Sequence, residues 1–137
     1  MEIKVSVSVD FELFPEYQFF ARKLEDALNS FSLSGYIGKR SRFERNSHAM
    51  SSNVYKHHIR LPGIHEPWDP EISIWKRTSD SFLIVAEHCF YPEFVQILYI
   101  LSPSAHVRVD GLLPFFIRKA EEFHALDKGS LVTISTR

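Results

Sequence analysis

The segment that most restricts the fold is residues 94–101, FVQILYIL, because it is apolar on both faces of a strand. Such a strand is buried on both sides, which predicts a central position in a sheet. Residues 3–9 alternate apolar and polar side chains, as a half-buried strand does. Because 137 residues can bury one core but hardly two, we expect a single domain covering residues 1–137.

The remaining pattern predicts alternating strands and helices. One amphipathic helix is expected to begin at Pro15 and end before Gly35, and a second to begin at Pro114 and end near Gly129. Further strands are predicted at 54–61 (VYKHHIRL), 72–77 (ISIWKR), 82–88 (FLIVAEH) and 131–135 (LVTIS), the middle two as a hairpin. The polar residues 38–53 predict a loop, with room for one helical turn. This order indicates an α+β fold whose largely antiparallel sheet is covered by helices on one side.

Charge is distributed unevenly along the chain. The formal net charge is −1, which gives no general attraction to nucleic acid or membrane. Residues 1–30 hold three cations against six carboxylates, whereas residues 39–60 hold six cations against Glu44 alone. We therefore expect any contact with a polyanion or an acidic partner to involve residues 39–60.

The cysteine content and the N-terminus favour a cytoplasmic protein. Cys89 is the only cysteine and cannot form an internal disulfide, which suits a reducing compartment. The first residues alternate and carry acidic side chains, unlike a signal peptide. No apolar run approaches the length needed to cross a bilayer, so we expect no membrane association.

Four short stretches resemble the YafO family of bacterial toxin–antitoxin toxins. They are HIRL (58–61), KRTSD (76–80), ILSPSAH (100–106) and RKAEEF (118–123), and they occur in the family's order. Members of the family are ribosome-dependent mRNA interferases and are grouped with RelE-like toxins, in which a helical hairpin packs on an antiparallel sheet. The resemblance implies a RelE-like fold and an endoribonuclease that inhibits translation. It also implies a cognate antitoxin and the mRNA-loaded ribosome as partners; the oligomeric state stays open.

Metal-independent RNA cleavage by the neighbouring 2′-OH needs a base, an acid and cations that stabilise charge on the phosphorane. Histidine suits the first two roles, because its ordinary pKa lies near neutrality. Strand geometry places Lys56, His58 and Arg60 on one face and His57 on the other. We therefore expect His58 in acid or base catalysis, with Lys56 and Arg60 holding the RNA backbone. A merely solvated strand face is an equal alternative.

Two further matching stretches supply candidates. Arg77 is expected to stabilise the phosphorane, while Trp75 stacks on a splayed base and Lys76 contacts RNA. His106 directly follows the predicted central strand, where a catalytic group would be held rigidly. It is the second acid/base candidate, although a loop histidine there by chance is as plausible. Asp80 is expected only to fix a turn.

The basic segment KRSRFER predicts either an RNA-contacting loop or a solvated one. Lys39, Arg40 and Arg42 are its candidate RNA ligands, and the same residues offer a docking site for an acidic antitoxin helix.

No cofactor or metal is expected, because one cysteine and unpaired histidines do not match structural zinc spacings. Three function classes fit the residues: an endoribonuclease toxin, a non-catalytic RNA-binding module, and a protein-interaction domain.

Overall fold

The computed structural model describes residues 1–136 and contains a five-stranded sheet. The strands are β1 (Lys4–Val7), β2 (Ile37–Arg42), β3 (Val54–Ile59), β4 (Phe82–Glu87) and β5 (Phe94–Leu101). Their order across the sheet is β1-β5-β4-β3-β2. β1 and β5 pair in parallel, and the other three pairs are antiparallel. The predicted α+β fold with a largely antiparallel sheet is confirmed, and the predicted central strand lies between two neighbours.

The described helices are α1 (Pro15–Leu28), α2 (Ser47–Ser51), α3 (Ala105–His124) and α4 (Lys128–Ser135), with a short 3₁₀ turn at Ile74–Lys76. Pro15 occupies the first turn of α1, as predicted. Pro114 does not begin a helix; it lies inside α3, which starts nine residues earlier. Among residues 1–136, no helix combines the length and apolar character needed to cross a membrane.

The sheet is covered on both faces, because strand alternation sends neighbouring side chains to opposite cores. Leu98 and Leu101 of β5 pack in a core with α3, α4 and the α2 region. Val95 and Ile97 of the same strand pack with α1. The expectation of helices on one side is therefore wrong, and the two apolar faces of β5 are explained by two separate helical layers.

Three local predictions also fail. Residues 131–135 belong to α4 because the Asp127 side chain accepts a hydrogen bond from the Ser130 amide and begins a helix. Asn46 caps α2 in the same way, and α2 is the helical turn allowed for in residues 38–53, but the strand β2 in the same segment was not predicted. Residues 72–77 form no strand. β4, which was predicted to form a hairpin with them, pairs with β3 and β5.

Candidate active site

His58 lies on β3 with its ring fixed by the backbone of one residue. The amide nitrogen and the carbonyl oxygen of Ser79 each lie 2.9 Å from His58 Nδ1. The amide can donate to a neutral Nδ1, and the carbonyl can accept from a protonated one. Both charge states of His58 therefore have a partner without any rotation of the ring. The side chain is only 5% exposed, and its burial lowers the pKa of His58, although the bond to Ser79 opposes this.

His106 meets His58 from the first turn of α3. The two ring centroids are 6.4 Å apart, and the Phe82 ring contacts both, at 5.1 Å from His58 and 5.4 Å from His106. Unlike His58, His106 is exposed. The structure thus brings together the two histidines that were predicted for acid/base chemistry, one buried and one open to solvent.

Asp80 positions His106 with both its backbone and its side chain. Its carbonyl accepts from the Ala105 amide at 3.1 Å, and its Oδ1 accepts from the His106 amide at 2.8 Å. The same Oδ1 lies 3.6 Å from His106 Nδ1, where it would pair with a protonated imidazole. Asp80 was expected only to fix a turn; it also anchors the start of α3 and faces the second histidine.

Lys56 and Lys39 place positive charge on the same face of the sheet as His58. Lys56 Nζ lies 4.4 Å from the centroid of the Phe82 ring. Burial lowers the pKa of Lys56, which the Asp110 carboxylate partly offsets and Lys39 reinforces. Lys56 and Lys39 in turn help to lower the pKa of His58. The charges are close enough to influence one another, as an active face requires.

A groove of about 450 Å³ runs beside His106 between α3 and the segment that follows β2. We call it the basic groove. It is lined by Arg42, Phe43, Glu44, Arg45, Asn46, Lys56, His106, Val109, Asp110 and Leu113. Three cations and two carboxylates therefore face it, together with one imidazole. Arg45 and Asp110 were not predicted as site residues. Asp110 was missed because it belongs to the part of α3 before Pro114, where the sequence pattern did not indicate a helix.

A second depression continues from the basic groove along β2. It is lined by Lys39, Arg40, Ser41, Arg42, Glu44, Tyr55 and Trp75, and it shares Arg42 and Glu44 with the groove. Trp75 is 70% exposed, so its ring is free to stack on a base. Lys76 is also exposed, in the adjoining 3₁₀ turn. Trp75, Lys39 and Arg42 therefore lie along one surface, and the RNA contacts expected of them stay predictions.

Arg40 and His57 point to the other face of the sheet. They pair across β2 and β3, and Arg40 stacks on Tyr55 at 3.9 Å while its guanidinium contacts Glu87 at 3.3 Å. His57 is buried, and burial lowers the pKa of His57 to about 3. It is therefore neutral and remote from the groove. Arg40 also lines the depression along β2, where Tyr55 and Glu87 engage its guanidinium; its predicted role as an RNA ligand stays a prediction.

Arg60 is held beside a smaller depression instead of the groove. Its guanidinium stacks over Trp68 at 4.5 Å and donates to the Glu66 carbonyl at 3.2 Å. The depression also includes Ser79 and Asp80, which link it to the two histidines. Arg60 thus lies at the edge of the site and can extend a surface that holds an RNA backbone.

Arg77 is buried and bonds to the backbone of neighbouring segments, as a residue that stabilises the fold does. Its side chain is only 1% exposed, and its guanidinium donates to the carbonyls of Ile72, Ser34 and Ile37 at 3.0–3.1 Å. The chain packs tightly around it: a Cβ placed on Gly38 would lie 2.5 Å from the Arg77 carbonyl oxygen. Because the side chain is buried and its Nε and Nη1 donors are bonded to three interior carbonyls, Arg77 does not fit the expected role in phosphorane stabilisation.

Comparison with known proteins identifies the family of this chain. A family model described as toxin YafO of type II toxin–antitoxin systems matches residues 19–125. No curated protein and no solved structure gives a significant match. The matched range covers most of the chain. It contains His58, His106 and all the residues described above as lying around them. The chain therefore belongs to the YafO family of type II toxin–antitoxin toxins.

Proposed function

We propose that this toxin is a ribosome-dependent mRNA interferase, an endoribonuclease that cuts mRNA by metal-independent attack of the 2′-OH. The observation that carries the proposal is the pairing of His58 with His106: their ring centroids are 6.4 Å apart, and His106 lines the basic groove. A buried neutral imidazole beside an exposed one opposite a carboxylate is a suitable acid/base pair. The proposed target, mRNA on the ribosome, implies that the toxin acts in the cytoplasm. We also propose that residues 1–137 form a single domain.

His58 serves as the general base. Its lowered pKa keeps the imidazole neutral near pH 7, so it can accept the proton of the 2′-OH. The freed 2′-oxygen then forms a bond to the adjacent phosphorus. In this role Nδ1–H donates to the Ser79 carbonyl, which leaves the Nε2 lone pair to take the proton of the 2′-OH.

His106 serves as the general acid. Protonated and opposite Asp80, it donates a proton to the 5′-oxygen as the P–O5′ bond breaks. The products are a 2′,3′-cyclic phosphate and a free 5′-hydroxyl, and one proton has moved from the 2′-oxygen to the base and another from the acid to the leaving oxygen. Proton exchange with water restores both histidines.

Cations take the place that Arg77 was expected to fill. Lys56 faces the groove beside His58, and Arg42 and Arg45 line the same groove. Charge on the phosphorane is stabilised by such preplaced cations. Lys39 and Trp75 extend the surface along β2 and are suited to backbone and base contacts.

The proposal predicts that expression of the chain alone arrests bacterial growth and translation. Purified protein added to ribosomes programmed with mRNA should yield new 5′-hydroxyl ends within the message, and naked mRNA should be cut far more slowly. Treating the toxin with EDTA and removing the chelator before adding ribosomes in magnesium buffer should leave cleavage unchanged, because the proposed reaction uses no metal held by the toxin. Binding of RNA without new RNA ends would identify a non-catalytic RNA-binding module. The absence of both RNA binding and cleavage would indicate a protein-interaction domain.

A type II toxin has a cognate antitoxin as its partner, and we propose that the antitoxin covers the basic groove with an acidic segment. Changing both Arg42 and Arg45 to Glu should slow association with the protein encoded beside this chain by about tenfold or more, because steering depends on complementary charge. The control variant changes Arg22 and Arg118 to Glu, which is the same charge change on exposed helix positions. Equal association rates for the two variants, measured across a salt series, would move the docking site elsewhere.

A further inference from the structure

A second histidine cluster lies outside the basic groove. His88 follows β4, Cys89 is next to it, and His124 ends α3. One side-chain donor atom from each residue lies within 4.8 Å of those from the other two. Both imidazoles are buried, whereas the cysteine is exposed. None of the three residues lines the groove, so the proposed cleavage reaction leaves this cluster without a role.

The backbone fixes the tautomer of both histidines. His124 Nε2 lies 2.6 Å from the Ser52 carbonyl oxygen, and His88 Nε2 lies 3.2 Å from the Leu126 carbonyl oxygen. A carbonyl can only accept, so each Nε2 carries the proton. Backbone amides donate to the two Nδ1 atoms: Cys89 to His124, and Phe90 and Tyr91 to His88. Each Nδ1 therefore presents its lone pair toward the turn that contains Cys89.

This is the arrangement that metal-binding histidines usually have. A ligating imidazole donates its other N–H to a carbonyl or carboxylate, which fixes the ring and makes the free nitrogen a better ligand. A metal would displace the hydrogen bonds that backbone amides donate to the two Nδ1 atoms. These hydrogen bonds are 3.2–3.3 Å long, at or beyond the long end of the normal range. Their loss costs less than that of a short bond.

We propose that His88, Cys89 and His124 bind one zinc ion through two Nδ1 atoms and one thiolate. Two imidazoles and a thiolate suit this borderline-soft cation, and a water completes the tetrahedron. Bond lengths of about 2.0–2.3 Å put tetrahedral ligand atoms roughly 3.3–3.8 Å apart. The cluster must therefore contract by about 1 Å, which the exposed Cys89 side chain can supply by rotation.

The ion would join the β4–β5 connection directly to the end of α3. His88 and Cys89 belong to the β4–β5 connection, and His124 ends α3. The Ser52 carbonyl that orients His124 follows α2, and the Ser52 hydroxyl donates to Glu121 of α3 at 2.6 Å. Zinc would hold the end of the long helix against the sheet, in a position remote from the RNA surface.

Titration of reduced, tag-free protein with Zn²⁺ and with Co²⁺ tests this site without any RNA. We expect one ion per chain, a thiolate-to-cobalt charge-transfer band, and a higher Tm with zinc than with EDTA. Cys89→Ser should weaken binding by at least about 100-fold, since loss of an outer-shell partner alone typically costs 10–100-fold. It should leave the Tm in EDTA unchanged, because the Cys89 side chain is exposed.

His65→Gln is the matched control, because it removes an exposed histidine far along the chain and should retain full binding. A lack of binding at micromolar metal, or equal binding by wild type and Cys89→Ser, would overturn the proposal. In that case the two imidazoles serve only to anchor the turn. The result is independent of whether the protein cleaves RNA, since the readout is spectroscopic.

Discussion

Replacing His58 or His106 with glutamine is expected to lower cleavage on programmed ribosomes by about 10²–10³, because each change removes one proton-transfer group. Glutamine is preferred to alanine at position 58, where the buried side chain must still bond to Ser79. His106 is exposed, so His106→Gln should not change the Tm. Single-turnover rates at saturating ribosome measure the chemical step.

The pH profile separates the two roles. Burial lowers the pKa of His58 below its ordinary value of 6.5, so its base form persists on mild acidification. We expect the rate to fall only as the pH drops through this lowered pKa, and this acidic limb of the pH profile should disappear in His58→Gln. Near wild-type rates in both glutamine variants would exclude histidine catalysis and leave the cations to carry the reaction.

Replacing Arg77 with methionine is expected to destabilise the fold by about 3–5 kcal/mol, because three interior carbonyls lose a charged donor together. Methionine keeps most of the apolar stem, so the change isolates the guanidinium. For a chain of this size the Tm should fall by roughly 10 °C or more. Thermal and urea unfolding measure both quantities.

Arg60→Met is the matched control for Arg77→Met. Arg60 also stacks and donates to one carbonyl, but it is half-buried and makes a single bond of 3.2 Å. We expect its loss to cost about 1 kcal/mol or less. A stable but inactive Arg77→Met protein would restore the phosphate-binding role for this residue and contradict the structural one.

Strand alternation was sufficient to predict the row of Lys56 and His58 on one face and His57 on the other, because period two is a property of the backbone. It also separates Lys39 from Arg40. The sequence pattern could not reveal that Arg77 turns inward, since its three partners are carbonyls spread over residues 34–72. A charged residue looks exposed until its tertiary partners are known.

The start of α3 was missed for a related reason. Residues 102–111 contain Pro, Ser and Gly, which indicate a turn, but Asp80 supplies the acceptor for the first helical amides from a distant part of the chain. Local propensity cannot report a cap that comes from 26 residues away. Asp80 was interpreted as a simple turn residue for the same reason, since its contact with α3 cannot be seen in the local sequence.

The separation of the site residues along the chain has a consequence for biosynthesis. His58, its anchor Ser79, and His106 with its anchor Asp80 come from β3, the segment before β4, and α3. During translation, His58 emerges with no partner and stays incomplete until α3 has left the ribosome and docked. Truncated products that stop before Ala105 therefore lack the proposed acid, His106, although they contain its anchor Asp80. The cell that makes this toxin is exposed to its activity only after nearly the whole matched region has been synthesised and folded.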